Sequence, residues 1–320
     1  MLSNRHVVIL MATFNGEKYL RQQVDSIINQ TYKNWDLYIR DDGSDDSTTS
    51  IIKTYVENYT NIHNIVCDTD KHGACINFYE LLVYAKAKLS KSDYFMLSDQ
   101  DDIWEPFKIE QEVNVCEKSN SKYVLAYSNL SLMSAENSKL NGTMGDLIDI
   151  ELKNPLDIFF NQIFIWGNTI CINRELLNLI NIPNNIANSL SHDHYLAFYG
   201  ASYGHVIYID KPLVRYRRHD DNVSDLPRKY NLLSAICRLL RRGNKILKDH
   251  ALSYSNVLYF IKNAPQCTEA MGDILLAIEK GGMFSLRIIN KYKIKPGNST
   301  YNILINKLIL FSCLYKKYLQ

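Results

Sequence analysis

Ser98-Asp99-Gln100-Asp101-Asp102-Ile103-Trp104 places three carboxylates within four residues, directly after the apolar run Tyr94-Phe95-Met96-Leu97. Carboxylates this crowded repel one another unless a cation sits among them, so a strand ending this way reads as a seat for a hard divalent metal and a phosphate. The alternative is an acidic turn capping the helix expected after Pro106. Two further polar segments follow apolar runs in the same way. Ala12-Thr13-Phe14-Asn15-Gly16-Glu17-Lys18 comes after Val7–Met11, and Asp41-Asp42-Gly43-Ser44-Asp45-Asp46-Ser47 comes after Trp35–Arg40. Each alone is explained as a turn or a capped loop. Three together favour a site.

Side chains with such roles need a rigid frame, and the chain alternates short β-branched and aromatic runs with longer amphipathic ones. Strands are predicted over Val7–Met11, Trp35–Arg40, Asn64–Asp68, Tyr94–Leu97, Tyr123–Tyr127, Phe164–Ile172 and Val206–Ile209. Helical spacing covers Glu17–Ile28, Ser47–Glu57, Ala74–Ala87 and Pro106–Glu117, with Ser47 and Pro106 suited to helix starts. The fold class is α/β, with strands joined by crossover helices in a mostly parallel sheet. Ligands of open parallel sheets gather at the carboxyl ends of the strands, where all three polar segments fall. The Asn-rich stretch around Pro183 reads as a loop.

At 320 residues the chain has room for one large domain or a domain with an appendage. Its apolar fraction of 46% and charged fraction of 22% are those of an ordinary soluble protein. No run approaches the roughly 18 apolar residues of a membrane span. Seven cysteines, odd in number and without a C-x-x-C pair, argue against a disulfide framework and a zinc knuckle. They point to a reducing, cytoplasmic setting, and no secretory signal is apparent before Val7. The net charge of +2 conceals an asymmetry: residues 226–320 hold 16 Lys and Arg against 4 Asp and Glu, while residues 1–225 hold 20 against 30. An acidic body needs a metal to accept a diphosphate, whereas a basic tail suits an anionic surface.

In order along the chain, Thr13-Phe14-Asn15-Gly16, Asp41-Asp42-Gly43-Ser44, Ser98 to Trp104, Trp166-Gly167-Asn168-Thr169, His192-Asp193-His194 and Tyr216-Arg217-Arg218-His219 resemble one family. It is the inverting family-2 glycosyltransferases of the GT-A fold, and within them the rhamnosyltransferase-like branch. The resemblance covers residues 6–225 and rests on six motifs in family order. It implies a Rossmann-like, mostly parallel central sheet flanked by helices, with a C-terminal helical appendage. Residues 1–225 would be the catalytic domain and 226–320 a basic helical region.

The resemblance also implies roles. A nucleotide-sugar donor would be framed at its base by Thr13, Phe14 and Asn15, with Glu17 alongside. Asp42 would accept a hydrogen bond from the imide N–H of uracil or thymine, a task that suits an acceptor-only carboxylate. Asp99 would take the ribose side with Gln100 beside it, and Asp101 the metal, as in the family's D-x-D motif. His219 would close the metal site, and a nitrogen ligand makes Mn2+ an alternative to Mg2+. Arg217 would meet phosphate, while Trp166, Gly167, Asn168 and His192 would line the acceptor or donor-sugar pocket. Asp193, opening the amphipathic segment His192–Tyr203, would be the catalytic base. It would remove the acceptor hydroxyl proton as that oxygen attacks the anomeric carbon from the face opposite the diphosphate. In Asp70-Lys71-His72-Gly73-Ala74-Cys75-Ile76-Asn77, Lys71 departs from the Asn common in the family, whereas Gly73 and Asn77 fit.

The implied activity is metal-dependent transfer of L-rhamnose from dTDP-rhamnose, or of another UDP- or dTDP-hexose. The acceptor would be lipid-linked or polysaccharide, in capsule or O-antigen synthesis. Beyond Asp225 the resemblance fades. Tyr230–Leu247 and Tyr301–Tyr318 are basic amphipathic segments that either lie on anionic lipid, peripherally at the cytoplasmic face, or pack on the catalytic body or on a partner. A sugar nucleotidyltransferase would carry a Gly-rich basic loop near its start, which Ala12–Leu20 is not. A nucleotide-sugar-binding protein without chemistry would not need both Asp101 and Asp193. No aromatic-basic module for nucleic acid is visible.

Overall fold

A computed structural model describes residues 4–66, 72–160, 165–182, 190–219, 232–297 and 299–319, with the helical backbone alone for 232–242. In chain order the first half runs β1 (Val7–Thr13), α1 (Leu20–Ile28), β2 (Trp35–Asp41), α2 (Thr48–Asn58), β3 (Ile62–Ile65), α3 (Ala74–Lys88), β4 (Tyr94–Ser98), β5 (Ile103–Trp104) and α4 (Lys108–Glu117). Then follow β6 (Val124–Ser134), β7 (Lys139–Thr143), α5 (Met144–Leu147), β8 (Ile170–Asn173), α6 (Arg174–Leu179), α7 (His192–Tyr203) and β9 (His205–Arg218). The chain closes with α8 (Leu232–Asn263), α9 (Glu269–Lys280), α10 (Gly282–Lys291) and α11 (Thr300–Ser312).

Strand β1 is apolar at every position before Thr13 and buried on both faces, the pattern of a central strand in a covered sheet. The strand order is β3-β2-β1-β4-β8-β6-β9-β5, with β7 on β6. The first four strands are parallel, Val7 lying opposite both Trp35 and Tyr94. Beyond them the sheet is mixed: β8 runs antiparallel between β4 and β6, β6 and β9 are parallel, and β5 is antiparallel to β9. The two-residue β5 pairs Ile103 with Arg215 and Trp104 with Val214, which draws the acidic segment before it onto the end of β9.

Alternation along β1 sorts the interior into two cores. Val8 and Leu10 face a core shared with α3, α6 and α7, whereas Val7, Ile9 and Met11 face one shared with α1, α2 and α4. The first core continues into the C-terminal helices. Tyr254, Phe260, Ile274, Ile278, Ile289 and Tyr315 belong to it, and the Phe260 ring meets Tyr195, Phe198 and Tyr199 of α7 at 5.1 to 5.9 Å. Polar ties reinforce the junction: Asn154 donates to the Tyr292 carbonyl at 3.0 Å, and the Lys295 N–H donates to Asp157 at 2.7 Å.

Several element bounds differ from the sequence pattern. β3 begins at Ile62 rather than Asn64, and Cys67 and Asp68 of the predicted strand lie outside the described residues. So do Phe164, Lys71, Pro183 and Tyr230. β8 starts only at Ile170, because Gly167–Thr169 forms a 3-10 turn in which the Thr169 N–H donates to the Trp166 carbonyl. β9 runs nine residues past Ile209. Its charged Asp210-Lys211-Pro212 break the hydrophobic pattern, and Pro212, lacking an N–H, coincides with a register shift against β6.

Candidate active site

The loops after β1 and β2 brace each other. Thr13 Oγ1 donates to Asp41 Oδ1 at 2.8 Å, and the same carboxylate accepts from the Gly43 and Ser44 N–H groups. Asn15, held at a left-handed φ of 48°, receives Asp45 N–H on its side chain while its own N–H donates to Ser44 Oγ. Glu17 accepts from Ser47 N–H at 3.0 Å, ahead of α2. Gln100 clasps the backbone of Phe14, accepting from its N–H at 2.9 Å and donating to its carbonyl at 2.8 Å. Thr13, Asn15, Glu17 and Gln100, expected to contact nucleotide, therefore act first as braces. The Phe14 ring stays open, 54% exposed.

Asp42 is buried, yet sits at the mouth of this frame. Arg40 donates to its Oδ1 at 3.1 Å and the Gly73 N–H to its Oδ2 at 2.7 Å, with the His72 ring 3.3 Å from Oδ1. Arg40 also meets Asn77 at 2.9 Å, and Asn77 donates to the Thr13 and Arg40 carbonyls. Gly73 adopts a φ of 120°, a conformation that L side chains rarely take. These contacts fix the carboxylate where β1, β2 and α3 converge.

The acidic segment divides by burial. Asp102 is fully buried; it accepts from the Asn168 amide and from Arg217 N–H, the latter at 3.1 Å. Burial, and the charges of Asp101 and Asp99, push its carboxyl far above the usual range. Arg217 is also fully buried. Its guanidinium donates to the Asp101 carbonyl at 2.6 Å, the Ala135 carbonyl at 3.3 Å, Gln22 at 2.8 Å and Asn137, and lies over the Tyr19 ring at 4.4 Å. Arg217, expected to meet phosphate, directs its guanidinium in this structure at protein acceptors that anchor the acidic loop to β9. Asn168 likewise serves Asp102 rather than an open pocket.

Asp101 and Asp99 are only partly buried. Asp101 Oδ2 lies 2.8 Å from His219 Nε2, with side chains 18% and 11% exposed. This pair offers one oxygen and one nitrogen donor beside further carboxylates, a set suited to Mg2+ or Mn2+. Among the described residues no three His, Cys, Asp or Glu side chains gather as a metal cage. Burial, together with the charges of Asp101 and Asp193, pushes the Asp99 carboxyl up to about 8. The charges of Asp101 and Asp193 thus both act on Asp99.

Asp193 lies in the first turn of α7, a helix with the bounds the sequence predicts. Burial raises its carboxyl, but His194 and His192, the Ser191 hydroxyl and the His194 N–H outweigh this and hold it below the usual range. His192 stacks on Phe78 at 4.0 Å, and burial lowers its pKa. Gly167 passes so close that a Cβ there would stand 2.5 Å from His192 Nε2. Gly167 thus meets α7 at its start. Cys75, unmarked in the sequence reading, is a further neighbour: burial and the Asp193 charge raise its thiol pKa. Asp41, Arg40 and Asp102 were also missed as organisers; their clustering with Asp42 and Asp101 was the available signal.

Residues 8–177 match the family model for glycosyl transferase family 2, more than half of the chain. The chain belongs to that family. It is 32% identical over 220 residues to a dTDP-rhamnosyl transferase, RfbG, of Shigella flexneri, covering 66% of this chain and 72% of that protein. It is 25% identical over 181 residues to the Escherichia coli UDP-Glc:alpha-D-GlcNAc-diphosphoundecaprenol beta-1,3-glucosyltransferase WfgD, covering 55% and 64% respectively. In fold it is similar to S. aureus TarS 1–349 in complex with UDP-GlcNAc, with a TM-score of 0.56 at 13% identity over 98% of this chain and 91% of that one. The expected α/β, GT-A-type architecture is therefore present, and the molecule is a transferase of glycosyl groups. No helix among the described residues is long and apolar enough to cross a membrane.

Proposed function

We propose that this glycosyltransferase works with inversion, a divalent metal and a dTDP- or UDP-sugar donor, L-rhamnose being the favoured sugar. The observation that carries the reading is Asp101 lying 2.8 Å from His219 in the acidic segment, with the charge of Asp193, like that of Asp101, acting on Asp99. Asp42 offers an acceptor-only group to the N–H edge of thymine or uracil. Asp101 and His219 would hold Mg2+ or Mn2+, which when bound supplies positive charge against the departing nucleoside diphosphate. Asp193, ionised at neutral pH, takes the proton of the acceptor hydroxyl as its oxygen forms the bond to the anomeric carbon. The carbon–oxygen bond to the diphosphate breaks on the opposite face, and the electron pair leaves with the diphosphate.

The acceptor in this reading is a lipid-linked oligosaccharide in capsule or O-antigen assembly, reached from the cytoplasmic face of the membrane. Similarity to RfbG supports the rhamnosyl donor, and similarity to WfgD supports a lipid-linked acceptor. Another UDP- or dTDP-hexose is the second donor reading, favoured by the UDP-sugar user among those relatives. The 1–225 and 226–320 division serves this scheme, the first part transferring sugar and the second placing the enzyme. A screen of nucleotide-sugars for metal-dependent thermal stabilisation tests it, since a ligand that binds the native state raises its melting temperature. The account expects dTDP-rhamnose with Mn2+ or Mg2+ to stabilise most. Equal shifts with and without metal, or stabilisation by nucleoside triphosphates alone, would contradict it.

A further inference from the structure

Helix α11 is apolar on both sides. Its inner face buries Ile309 and Leu310 with Asn306, which meets His250 of α8 at 2.5 Å and donates to the Phe160 carbonyl at 3.4 Å. On the opposite side Leu304, Leu308 and Phe311 are 54%, 51% and 49% exposed. Intervals of four and three residues set these three in one stripe along the helix. Leu314, just beyond the helix, is equally open, and so is Met283 of α10. Gly281, two residues before Met283, lies against Cys313, Lys316 and the Leu310 carbonyl, so the start of α10 adjoins the end of α11.

The surroundings are basic. Lys307 flanks the stripe on α11, Lys316 and Lys317 follow it, and Lys248 and Lys317 lie over the Tyr318 ring at 5.5 and 4.9 Å. Of the four acids among residues 226–320, Glu269 and Asp273 are already paired with Lys291 at 2.8 and 2.7 Å. A second copy of the chain would bring this positive field against itself, whereas an anionic bilayer complements it. A helix of 13 residues is too short to span and suited to lie flat.

We propose that the outer face of α11, formed by Leu304, Leu308 and Phe311 with Leu314 beyond them, docks in the interfacial layer of an anionic membrane. The lysines around it sit over the headgroups while the inner face holds the catalytic body. The inference deepens the membrane reading above and rests on it. The test is co-sedimentation of the full chain with phosphatidylcholine vesicles with and without phosphatidylglycerol, for wild type and the Leu308→Glu/Phe311→Glu double variant. Wild type is expected to bind only the anionic vesicles, less so at high salt, and the double variant at least about tenfold more weakly. Thermal stabilisation by nucleotide-sugar and transfer to a water-soluble acceptor should match wild type, which shows that the variant is folded. Equal vesicle binding by the two proteins would overturn the proposal, as would absence of wild-type binding. So would a dimer that these substitutions dissociate while vesicle binding persists. Vesicle binding without transfer of any sugar would instead count against the enzymatic reading and leave the docking surface standing.

Discussion

A carboxylate acts as a base only while ionised, and Asp193 is kept so by two histidines, a hydroxyl and a backbone N–H at the start of α7. Asp193→Asn is therefore expected to lower kcat by about a hundredfold to ten-thousandfold while leaving donor affinity close to wild type. Isothermal titration of donor beside steady-state kinetics would separate the two effects. Asp101→Ala should abolish the difference that metal makes to nucleotide binding, read in the same titration with and without Mn2+. At this scale the acids were legible in the sequence, because a cluster such as Asp99, Asp101 and Asp102 announces its repulsion wherever it folds. Their division of labour was not. Asp102 meets Asn168 and Arg217 across wide gaps in sequence, and only the sheet shows that this acid is an internal anchor while Asp101 meets His219. For the same reason Arg217 and Gln100 carry a charge and an amide that suit a ligand but meet protein partners.

Elements set the precision with which those groups meet. The two-residue β5 and the last turns of β9 hold the acidic loop, and Arg217 is the bolt between them. Arg217→Met keeps the aliphatic stem but orphans buried acceptors, so a loss of about 3 kcal/mol in denaturant unfolding is expected. Gly167 and α7 form a second contact of this kind. In Gly167→Ala the new methyl would press on His192, whose ring is backed by Phe78, and the shift would carry to Asp193. A fall in kcat of about ten- to a hundredfold, with donor affinity retained, is the expected result; unchanged kcat would mean that the ring yields without moving α7. Periodicity revealed most of this framework: α7 has the predicted bounds, and the α1 to α4 helices end within a residue of theirs. It missed the length of β9, since Asp210-Lys211-Pro212 reads as a terminator until a parallel partner absorbs the register shift. It also missed β5, since two residues carry no period.

On the scale of the whole molecule, α8 to α11 continue the core of the catalytic body, so a truncation before Leu232 would expose Tyr195, Phe198 and Tyr199 to water. Point substitutions are the better probe of the junction. Asp157, which receives the Lys295 N–H, has its carboxyl pushed from 3.8 up to about 6 by burial, against the pull of that N–H and of the Lys295 charge. Between those values the folded state keeps a proton that the unfolded chain has lost, so this group's contribution to stability falls as pH rises through the window. Asp157→Asn, which can still accept the Lys295 N–H, should flatten the fall of Tm across that interval without loss at neutral pH. Parallel Tm curves for the two proteins would contradict that assignment. The charge asymmetry of the chain was plain in its sequence; the shared core was not, because basic amphipathic helices look alike whether they cover a protein or a membrane. The central claim, inverting transfer with Asp193 as base, is tested most directly by the anomeric configuration of the product. The enzyme would be given dTDP-rhamnose, a lipid-linked acceptor and Mn2+, and the new linkage read by NMR for wild type and Asp193→Asn. The account predicts an inverted centre from wild type and no product above background from the variant. A retained centre, or wild-type turnover by Asp193→Asn, would contradict it.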